Sequence, residues 1–358
     1  MKVTAVDSFP YALPLVKPVP GAPAGTHERA GLLIRLRSET GAEGWGDIAP
    51  LPGFSRETLA EARTQLSSLR HVLLSLPAFT QQASWAVALL NPLSAWDLFS
   101  SFRFGLECAV CNLAAAEWKT PWRLKLAESP LSSLRLNALL ARSHAEILRE
   151  AQTAVARGYR TLKIKVGRYP VREEIDTVLR VSALLPRHAA LRLDANRAWP
   201  LTEALEFAQG VRDCPMEYIE EPVRDATMLD EFIRRSGLPV ALDESLGAVG
   251  DRPLTQGLRA IVIKPTLRGG LSGALRWSRI ARQAGVTPVI SSAFESSVGL
   301  RALAELASVV HDPDVAAGLD TGRWLARDVA EPAFEVARGG RVDVTALSAQ
   351  PVKVKQLL

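Results

Sequence analysis

Five short apolar segments of the sequence each end on a charged residue, in the order Lys, acid, acid, acid, Lys. The end residues are Lys165, Asp194, Glu220, Asp243 and Lys264. If each segment is a β-strand, side-chain alternation places these residues opposite the neighbouring Leu, Ile and Val side chains. The apolar face suits packing on helices, so the charged groups would point into a barrel at its carboxyl end, where barrel enzymes keep catalytic residues. Each charge could also mark only where a strand meets solvent, but five in succession argue against that reading.

These residue types indicate metal-assisted proton transfer. Three carboxylates that converge on one point repel one another unless a cation neutralises them, and hard oxygen ligands favour Mg²⁺. His and Cys are absent from these strand ends, which argues against zinc. A lysine on either side of the acids suggests proton transfer at a carbon next to a carboxylate, with the metal stabilising an enediolate. Lys163 lies two residues before Lys165 and would point the same way, where its charge would support Lys165 as a base.

From about residue 133, strand-like and helix-like patterns alternate. Amphipathic segments such as Ala145–Arg157 and Leu271–Ala284 separate short apolar runs. Eight such strands at this spacing predict parallel βαβ units closing into a barrel. The strand candidates are Leu134–Leu140, Thr161–Val166, Ala190–Asp194, Glu217–Glu220, Pro239–Asp243, Ala260–Lys264, Pro288–Ser292 and Gly318–Asp320.

The first third of the chain has a different pattern, typical of an α+β capping domain. Ala30–Arg37 is expected to form a strand, and Arg56–Leu73 and Arg103–Ala116 have helical spacing. The Pro/Gly/Ala-rich stretch Lys17–Thr26 is predicted to be a mobile loop.

These patterns divide the chain into a cap over residues 1–120 and a barrel over residues 121–323. The tail, about residues 324–358, is expected to complete the cap. Its stretch FEVARGGRVDV is predicted to form a strand pair that returns to the cap.

Composition limits the classes of function. The chain has 358 residues, 47% hydrophobic and 23% charged, enough for a barrel plus a second module. Its 43 basic residues are scattered among 38 acidic ones, which argues against a nucleic-acid partner. No stretch of apolar residues is long enough to predict a membrane span, so the cytoplasm is expected. Cys108 and Cys111 lie in an apolar, helix-like stretch and are predicted to be buried structural thiols.

Five motifs resemble the enolase superfamily, specifically its muconate-lactonizing-enzyme subgroup, and the likeness covers essentially the whole chain. The motifs are KIK at 163–165, LDAN at 193–196, IEEP at 219–222, LDES at 242–245 and IVIKP at 261–265. The resemblance implies an α/β fold, an enolase-like modified TIM barrel (β/α)7β with an α+β capping domain. It also implies a Mg²⁺ cofactor, with Mn²⁺ as a substitute, in a site that uses a lysine base.

By position, the resemblance implies that Asp194, Glu220 and Asp243 are the metal ligands. Lys165 and Lys264 correspond to two catalytic lysines on opposite faces of the substrate, and Lys163 supports Lys165. Glu221 is the alternative ligand in the Glu-Glu-Pro run, but strand parity turns it away from the barrel and favours Glu220.

Within the superfamily, three stretches resemble the o-succinylbenzoate synthase family. They are GWGDIAPLPGFSRETLAEA at 44–62, VISSAFESSVGL at 289–300 and GLDTGRWLARD at 318–328. This implies a lyase that dehydrates 2-succinyl-6-hydroxy-2,4-cyclohexadiene-1-carboxylate to 2-succinylbenzoate in menaquinone or phylloquinone synthesis. The expected partner is therefore a small-molecule carboxylate, and homo-oligomerisation is left open.

Four further residues are candidates for substrate binding. Arg192 is predicted to contact the substrate or Asp194, with a structural ion pair as an equal alternative. Ser291 and Ser292 could present hydroxyl or N–H groups to the succinyl carboxylate, or be ordinary turn serines. Asn196 is expected to hold the Asp194 loop or to lie next to the metal ligands. The five histidines show no convergent pattern and are expected to be surface or capping residues.

Two rival functions remain at this point. An N-acylamino acid racemase or dipeptide epimerase would need the same metal site and the same pair of lysines. Only the loops at 17–26, 46–55 and 291–299 would distinguish it, and these favour the synthase. A catalytically inactive binding barrel is the remote alternative, and the intact set of five strand-end residues argues against it.

Overall fold

The structure is a computed structural model that describes residues 1–75, 78–81, 89–91, 93, 96–141, 143–249, 254 and 257–355. The chain begins with an antiparallel sheet of three strands, β1 (Val3–Pro14), β2 (Glu28–Ser38) and β3 (Glu43–Ile48), in that order. The loop between β1 and β2 contains the predicted stretch Lys17–Thr26. The predicted strand Ala30–Arg37 is thus confirmed.

Two helices pack on this sheet, α1 (Leu59–Ser75) and α2 (Ser100–Glu117), close to the two predicted helices. The glycines at 44 and 46 explain how closely α2 approaches β3. A Cβ at Gly44 would lie 2.1 Å from the carbonyl oxygen of Ala109, and a Cβ at Gly46 would lie 1.8 Å from that of Gly105. Only glycine allows two backbones to come so close.

The second part of the chain forms a parallel sheet, which has seven strands in the described residues and follows chain order from β5 to β11. Each strand pairs in parallel with the next, as the alternating sequence pattern predicts. The strands are β5 (Ala138–Leu140), β6 (Thr161–Lys165), β7 (Ala190–Asp194), β8 (Met216–Glu220), β9 (Val240–Leu242), β10 (Leu258–Ile263) and β11 (Thr287–Ile290).

Helices connect these strands and cover the outer, apolar face of the sheet. They are α3 (His144–Ala156), α4 (Val171–Ser182), α5 (Leu201–Val211), α6 (Leu229–Ser236), α7 (Leu246–Val249), α8 (Gly270–Gln283) and α9 (Ser297–Val310). Short 3-10 helices lie at Trp122–Lys125, Ala226–Met228 and Gly322–Trp324. The (β/α)7β architecture expected from the sequence is confirmed.

Two predicted strands differ from the structure. Leu134–Leu140 is not one strand: β4 (Ser133–Arg135) pairs antiparallel with the tail, and β5 starts three residues later. The chain changes partners here because Leu136 N donates to Gly340 O whereas Asn137 N donates to Ala317 O. Gly318–Asp320 forms no ladder either. Two isolated bridges, Leu136–Ala317 and Ser291–Gly318, complete the ring before the chain turns into the last 3-10 helix.

The tail contains β12 (Ala330–Glu331), β13 (Arg341–Asp343), α10 (Val344–Ala349) and β14 (Lys353–Val354). β12 pairs with β14, but β13 pairs with β4, at the start of the barrel. The prediction that FEVARGGRVDV returns to the cap as a strand pair was therefore wrong. Contact with the cap sheet comes instead from Leu325, Val329 and Ala330, which pack with Tyr11 and Leu13.

One large apolar core runs through both parts of the chain, so the cap and the barrel are packed together. Cys108 and Cys111 lie fully buried within it, as predicted. No helix in the described part of the chain has the length and apolar character needed to cross a membrane.

Candidate active site

The predicted strand-end residues lie at one end of the barrel sheet. β6, β7 and β8 end on Lys165, Asp194 and Glu220, which are adjacent in the strand register. Asp243 and Lys264 each follow directly after the last residue of β9 and β10. Both Asp194 and Glu220 have no exposed surface, so their charges lie inside the protein.

Lysine side chains lie between the buried acids. Lys163 Nζ is 2.8 Å from Asp194 Oδ2 and 2.6 Å from Glu220 Oε2. Lys165 Nζ lies 2.6 Å from the same Asp194 oxygen, and Lys264 forms an ion pair with Asp243. The structure thus brings all six predicted lysines and acids into one cluster of alternating charges.

The pKa values of this cluster show how strongly its charges interact. Burial raises the pKa of Glu220 well above its usual range, and the negative charge of Asp194 raises it further. Burial would also raise the pKa of Asp194, but Lys163 and Lys165 outweigh it and hold that pKa well below the usual range. Burial alone would lower the pKa of Lys163, but the two carboxylates raise it. Three buried acids at this distance therefore require nearby positive charge.

The donor set fits a Mg²⁺ ion. Glu220 Oε1 is buried, and no group in the described residues forms a hydrogen bond with it, so one carboxylate oxygen is left over beside Asp194 and Asp243. Across the described residues, no three acidic, His or Cys side chains already converge as a formed metal site. In the structure, the ammonium groups of lysines are paired with these carboxylates instead. An all-oxygen set of this kind suits Mg²⁺.

Glu221, the alternative ligand, has another role. Both of its oxygens accept hydrogen bonds: Oε1 from the backbone N–H groups of Asp243 and Ser245, each at 2.8 Å, and Oε2 from Ser245 Oγ at 2.6 Å. The side chain therefore holds the loop after β9. This arrangement favours Glu220 as the ligand, as strand parity predicts.

Asn196 lies beside Lys165. Its Oδ1 accepts a hydrogen bond from Lys165 Nζ at 2.7 Å, and its Nδ2 donates to Glu244 Oε1 at 2.7 Å. The backbone N–H of Asn196 also donates to Asp194 Oδ1 at 3.1 Å. Glu244 thereby fixes the amide so that its acceptor oxygen faces the lysine.

Ser291 and Ser292 follow β11 and line the pocket above the lysines. Ser291 Oγ donates to Gly318 O at 3.3 Å, and Ser292 Oγ is 2.7 Å from Thr321 Oγ1. Their hydroxyl groups thus contact the segment that completes the ring.

Arg192 does not reach Asp194 in the structure. It lies two residues earlier on β7, forms an ion pair with Glu217 at 2.7 Å and donates to Asn137 Oδ1 and Ala316 O. It is only 1% exposed and does not line the pocket. Of the two alternatives for Arg192, the structure has the structural ion pair.

The pocket above the lysines has one wall from the cap and one from the barrel. Pro20, Leu51 and Phe54 belong to the cap. The barrel residues are Asn137, Leu139, Lys163, Lys165, Lys264, Ser291, Ser292, Ala293, Phe294, Gly318, Asp320 and Thr321. The pocket lining combines apolar side chains with three lysines, which is chemically suited to a small molecule with both an apolar and an anionic part.

Sequence reasoning missed two features of this region. Asp320 lines the pocket and accepts a hydrogen bond from Tyr159 at 3.2 Å, and burial raises its pKa. Of the two alternatives expected for the histidines, surface or capping, His311 is a capping residue: it is the C-cap of α9, and its backbone N–H donates to Ala307 O. It is 5% exposed, and its Nε2 accepts from Ile290 N at 2.7 Å. Burial lowers its pKa to about 3.

Comparison with known proteins identifies the class first. Residues 146–348 match the family described as "Enolase C-terminal domain-like", and residues 3–113 match the family described as "MenC, N-terminal domain". The chain is therefore a barrel protein of the enolase superfamily, whose members bind Mg²⁺.

The curated relatives are more specific. The chain is 35% identical over 322 residues to o-succinylbenzoate synthase of Pectobacterium atrosepticum, covering 88% of this chain and 90% of that protein. The synthase of Klebsiella pneumoniae is 35% identical over 85% of this chain and 86% of its own length. The chain belongs to the o-succinylbenzoate synthase family. It is also 33% identical over 84% of its length to Protein PHYLLO, chloroplastic, of Arabidopsis thaliana, but spans only 20% of that protein.

Solved structures show the same fold. The L-Ala-D/L-Glu epimerase from Bacillus subtilis superimposes with a TM-score of 0.84 at 23% identity, covering 99% of this chain and 98% of that chain. The dipeptide epimerase from Enterococcus faecalis V583, complexed with Mg and the dipeptide L-Leu-L-Tyr, gives a TM-score of 0.81 at 21% identity, with 99% and 98% covered.

Proposed function

We propose that this protein dehydrates 2-succinyl-6-hydroxy-2,4-cyclohexadiene-1-carboxylate to 2-succinylbenzoate, a carbon–oxygen lyase step of menaquinone or phylloquinone synthesis. Membership of the synthase family supports this reaction. The single structural observation that carries it is the cluster of Lys165, Lys264 and three buried acids beneath one pocket.

Asp194, Glu220 and Asp243 would hold the Mg²⁺ ion, and Mn²⁺ is proposed as a substitute. Bound there, the ion supplies positive charge against the charge that develops on the substrate carboxylate. The unpartnered Glu220 Oε1 and the all-oxygen donor set support this assignment. The raised pKa of Lys163 supports it too. Asp194 and Glu220 raise this pKa because their negative charges favour a nearby cation, and a metal ion would meet the same charges.

The lysines would carry out the proton transfers. Lys165, as the free amine, removes the proton next to the ring carboxylate, and the C–H electron pair moves towards that carboxylate. The ammonium so formed returns the proton to the departing hydroxyl group, which leaves as water while the ring becomes aromatic. Lys264, held by Asp243 after β10, offsets the negative charge from the other face. Asn196 orients the Lys165 amine through its hydrogen bond.

The remaining assignments are proposals of the same kind. Ser291 and Ser292, which line the pocket from the barrel, would bind the succinyl arm. We also propose a cap over residues 1–120, completed by the tail at about residues 324–358, and a barrel over residues 121–323; residues 356–358 lie outside the described part of the chain. The small carboxylate substrate, cytoplasmic location and any homo-oligomer stay predictions.

The test is an absorbance assay that follows loss of the cyclohexadiene, with and without EDTA. We expect turnover that EDTA abolishes and Mg²⁺ restores. Lys165→Ala should lower kcat by about 10²–10⁴-fold, the usual contribution of a general base. Near wild-type turnover in this variant would refute the mechanism.

The same preparation should be assayed with an N-acylamino acid and a dipeptide, because epimerases share this fold. Racemisation without dehydration would replace the proposed function. Wild-type protein that binds no Mg²⁺ by calorimetry at millimolar metal would favour a non-catalytic barrel.

A further inference from the structure

Arg29, at the start of β2, is a buried arginine, 2% exposed, whose guanidinium donates hydrogen bonds to five backbone carbonyl groups of the described residues. Nε donates to Phe294 O at 3.0 Å, and Nη1 donates to the carbonyls of Ala30 and Pro50, each at 2.9 Å. Nη2 donates to Ala49 O and, at 3.2 Å, to Ala293 O. These five hydrogen bonds use every donor that a guanidinium has.

Four of the five carbonyls that Arg29 binds lie in or next to the two walls of the pocket, and the fifth is that of Ala30. Ala49 and Pro50 directly precede Leu51, which lines the pocket from the cap. Ala293 and Phe294 line it from the barrel. One rigid, planar group therefore sets the separation between the wall from the cap and the wall from the barrel.

The third segment that faces the substrate rests on the same frame. In the loop at 17–26, Gly21 lies against the Phe54 ring, so closely that a Cβ there would be 2.6 Å from Cζ. Phe54 is in the cap segment that starts at Ala49. Arg29 thus contacts two of the three loops expected to distinguish synthase from racemase, at 46–55 and 291–299, and the loop at 17–26 packs on the first of them.

Two buried acids balance the charge of Arg29 and connect it to the barrel. Asp47 accepts from Ser296 N at 2.9 Å and from Ser296 Oγ at 2.7 Å, at the start of α9. Glu295 accepts from Ala293 N at 2.8 Å and from Thr266 Oγ1, two residues after Lys264. Burial raises the pKa of both acids, and the nearby charge of Arg29 lowers it. Asp47, on β3 of the cap, thus binds the barrel at Ser296, and Glu295 holds the barrel segment that Arg29 contacts.

We propose that Arg29 is a positioning residue that sets the spacing between the cap wall and the barrel wall, and through it the fit of the substrate. This inference rests on the proposed function, because it concerns the substrate of that reaction. Arg29 contacts none of the lysines or acids of the cluster, so its loss leaves metal binding intact. Its loss weakens binding of the substrate and of product, which must fill the space between both walls.

The experiment compares Arg29→Met and Arg29→Lys with wild type and with Arg301→Met. Arg301 is a matched control because it is also a buried arginine, 6% exposed. It donates to the backbone carbonyls of Leu347 and Gln350 in the tail, and neither of these residues lines the pocket. Arg29→Lys keeps the charge between Asp47 and Glu295 but cannot reach both walls from a single ammonium.

In both Arg29 variants we expect KM for the cyclohexadiene and the Kd of 2-succinylbenzoate to rise about 10-fold or more, with kcat changed less than about 3-fold. Calorimetry should show wild-type Mg²⁺ affinity in both. Arg301→Met should lose thermal stability but keep the wild-type KM.

Unchanged KM and Kd in folded Arg29 variants would overturn the inference. So would an equal rise in KM in Arg301→Met, a parallel loss of Mg²⁺ affinity, or failure of both Arg29 variants to fold. If instead wild type does not dehydrate the substrate at all, the proposed function fails, and the product Kd of the Arg29 variants still tests the pocket.

Discussion

Replacing Lys163 with Met should destabilise this protein much more without divalent metal than with it. Lys163 Nζ lies 2.8 Å from Asp194 and 2.6 Å from Glu220, and both acids are fully buried. In the absence of metal, the variant removes the Lys163 ammonium from the buried carboxylates of Asp194 and Glu220. With Mg²⁺ bound, the ion supplies the missing charge.

The magnitude follows from the contacts. Removing one partner of a buried ion pair costs about 3–5 kcal/mol, because the other charge stays buried. Glu220 limits this cost, since its pKa is already raised and it can take up a proton. We therefore expect a loss of about 3 kcal/mol in EDTA and of about 1 kcal/mol or less in millimolar Mg²⁺.

Urea unfolding of wild type and variant, each in EDTA and in Mg²⁺, measures both values. The control is Arg235→Met, which breaks a 3.0 Å pair with Glu231 on an exposed helix surface. Its loss should be about 0.5 kcal/mol or less in either buffer. Equal destabilisation of Lys163→Met with and without metal would refute the assignment of Asp194 and Glu220 as metal ligands.

Two further predictions concern the loop at 17–26 and Glu107, a buried side chain on α2 of the cap that accepts hydrogen bonds from Ser272 on α8 of the barrel. Gly21→Ala should raise KM about 10-fold. Gly25→Ala is the control, because Gly25 has the same φ of 83° but no atom within 4 Å of an added Cβ, and its KM should not change. Equal KM values in the two variants would contradict the contact of Gly21 with Phe54. Burial raises the pKa of Glu107 from 4.5 to about 7, so the folded protein holds a proton that the unfolded chain releases, and stability falls as pH rises from 4.5 to about 7. Glu107→Gln removes this pH dependence. Relative to wild type, its free energy of unfolding in urea should therefore increase by about 2 kcal/mol between about pH 5 and pH 8. Parallel pH profiles of the two proteins would contradict the raised pKa.

The candidate site could be located from the sequence because strand parity is a local property. Alternation alone places Lys163 and Lys165 on one face of β6, and parallel neighbours place Asp194 and Glu220 beside them. The choice of Glu220 over Glu221 follows from the same alternation. No long-range information was needed for these positions.

The partners of other residues depend on parts of the chain far away in sequence. Arg192 binds Ala316 O, 124 residues later, and Arg29 binds Phe294 O, 265 residues later. Nothing near either arginine indicates such a partner. The division of Leu134–Leu140 has the same cause, because its first half pairs with Arg341–Asp343 in the tail. Local sequence patterns predict helices and strands, but the long-range partners of these elements depend on the fold of the whole chain.

Two isolated bridges at Ala317 and Gly318 close the ring of the barrel, whereas its other strands meet in ladders. The register of β6, β7 and β8 is regular at their carboxyl ends, so Lys165, Asp194 and Glu220 lie side by side there. Opposite them, Gly318 and Ser291 meet through a single bridge, and both line the pocket. We therefore expect the edge at Gly318 and Ser291 to adjust to the shape of a bound molecule more readily than the strand ends that carry the lysines and acids.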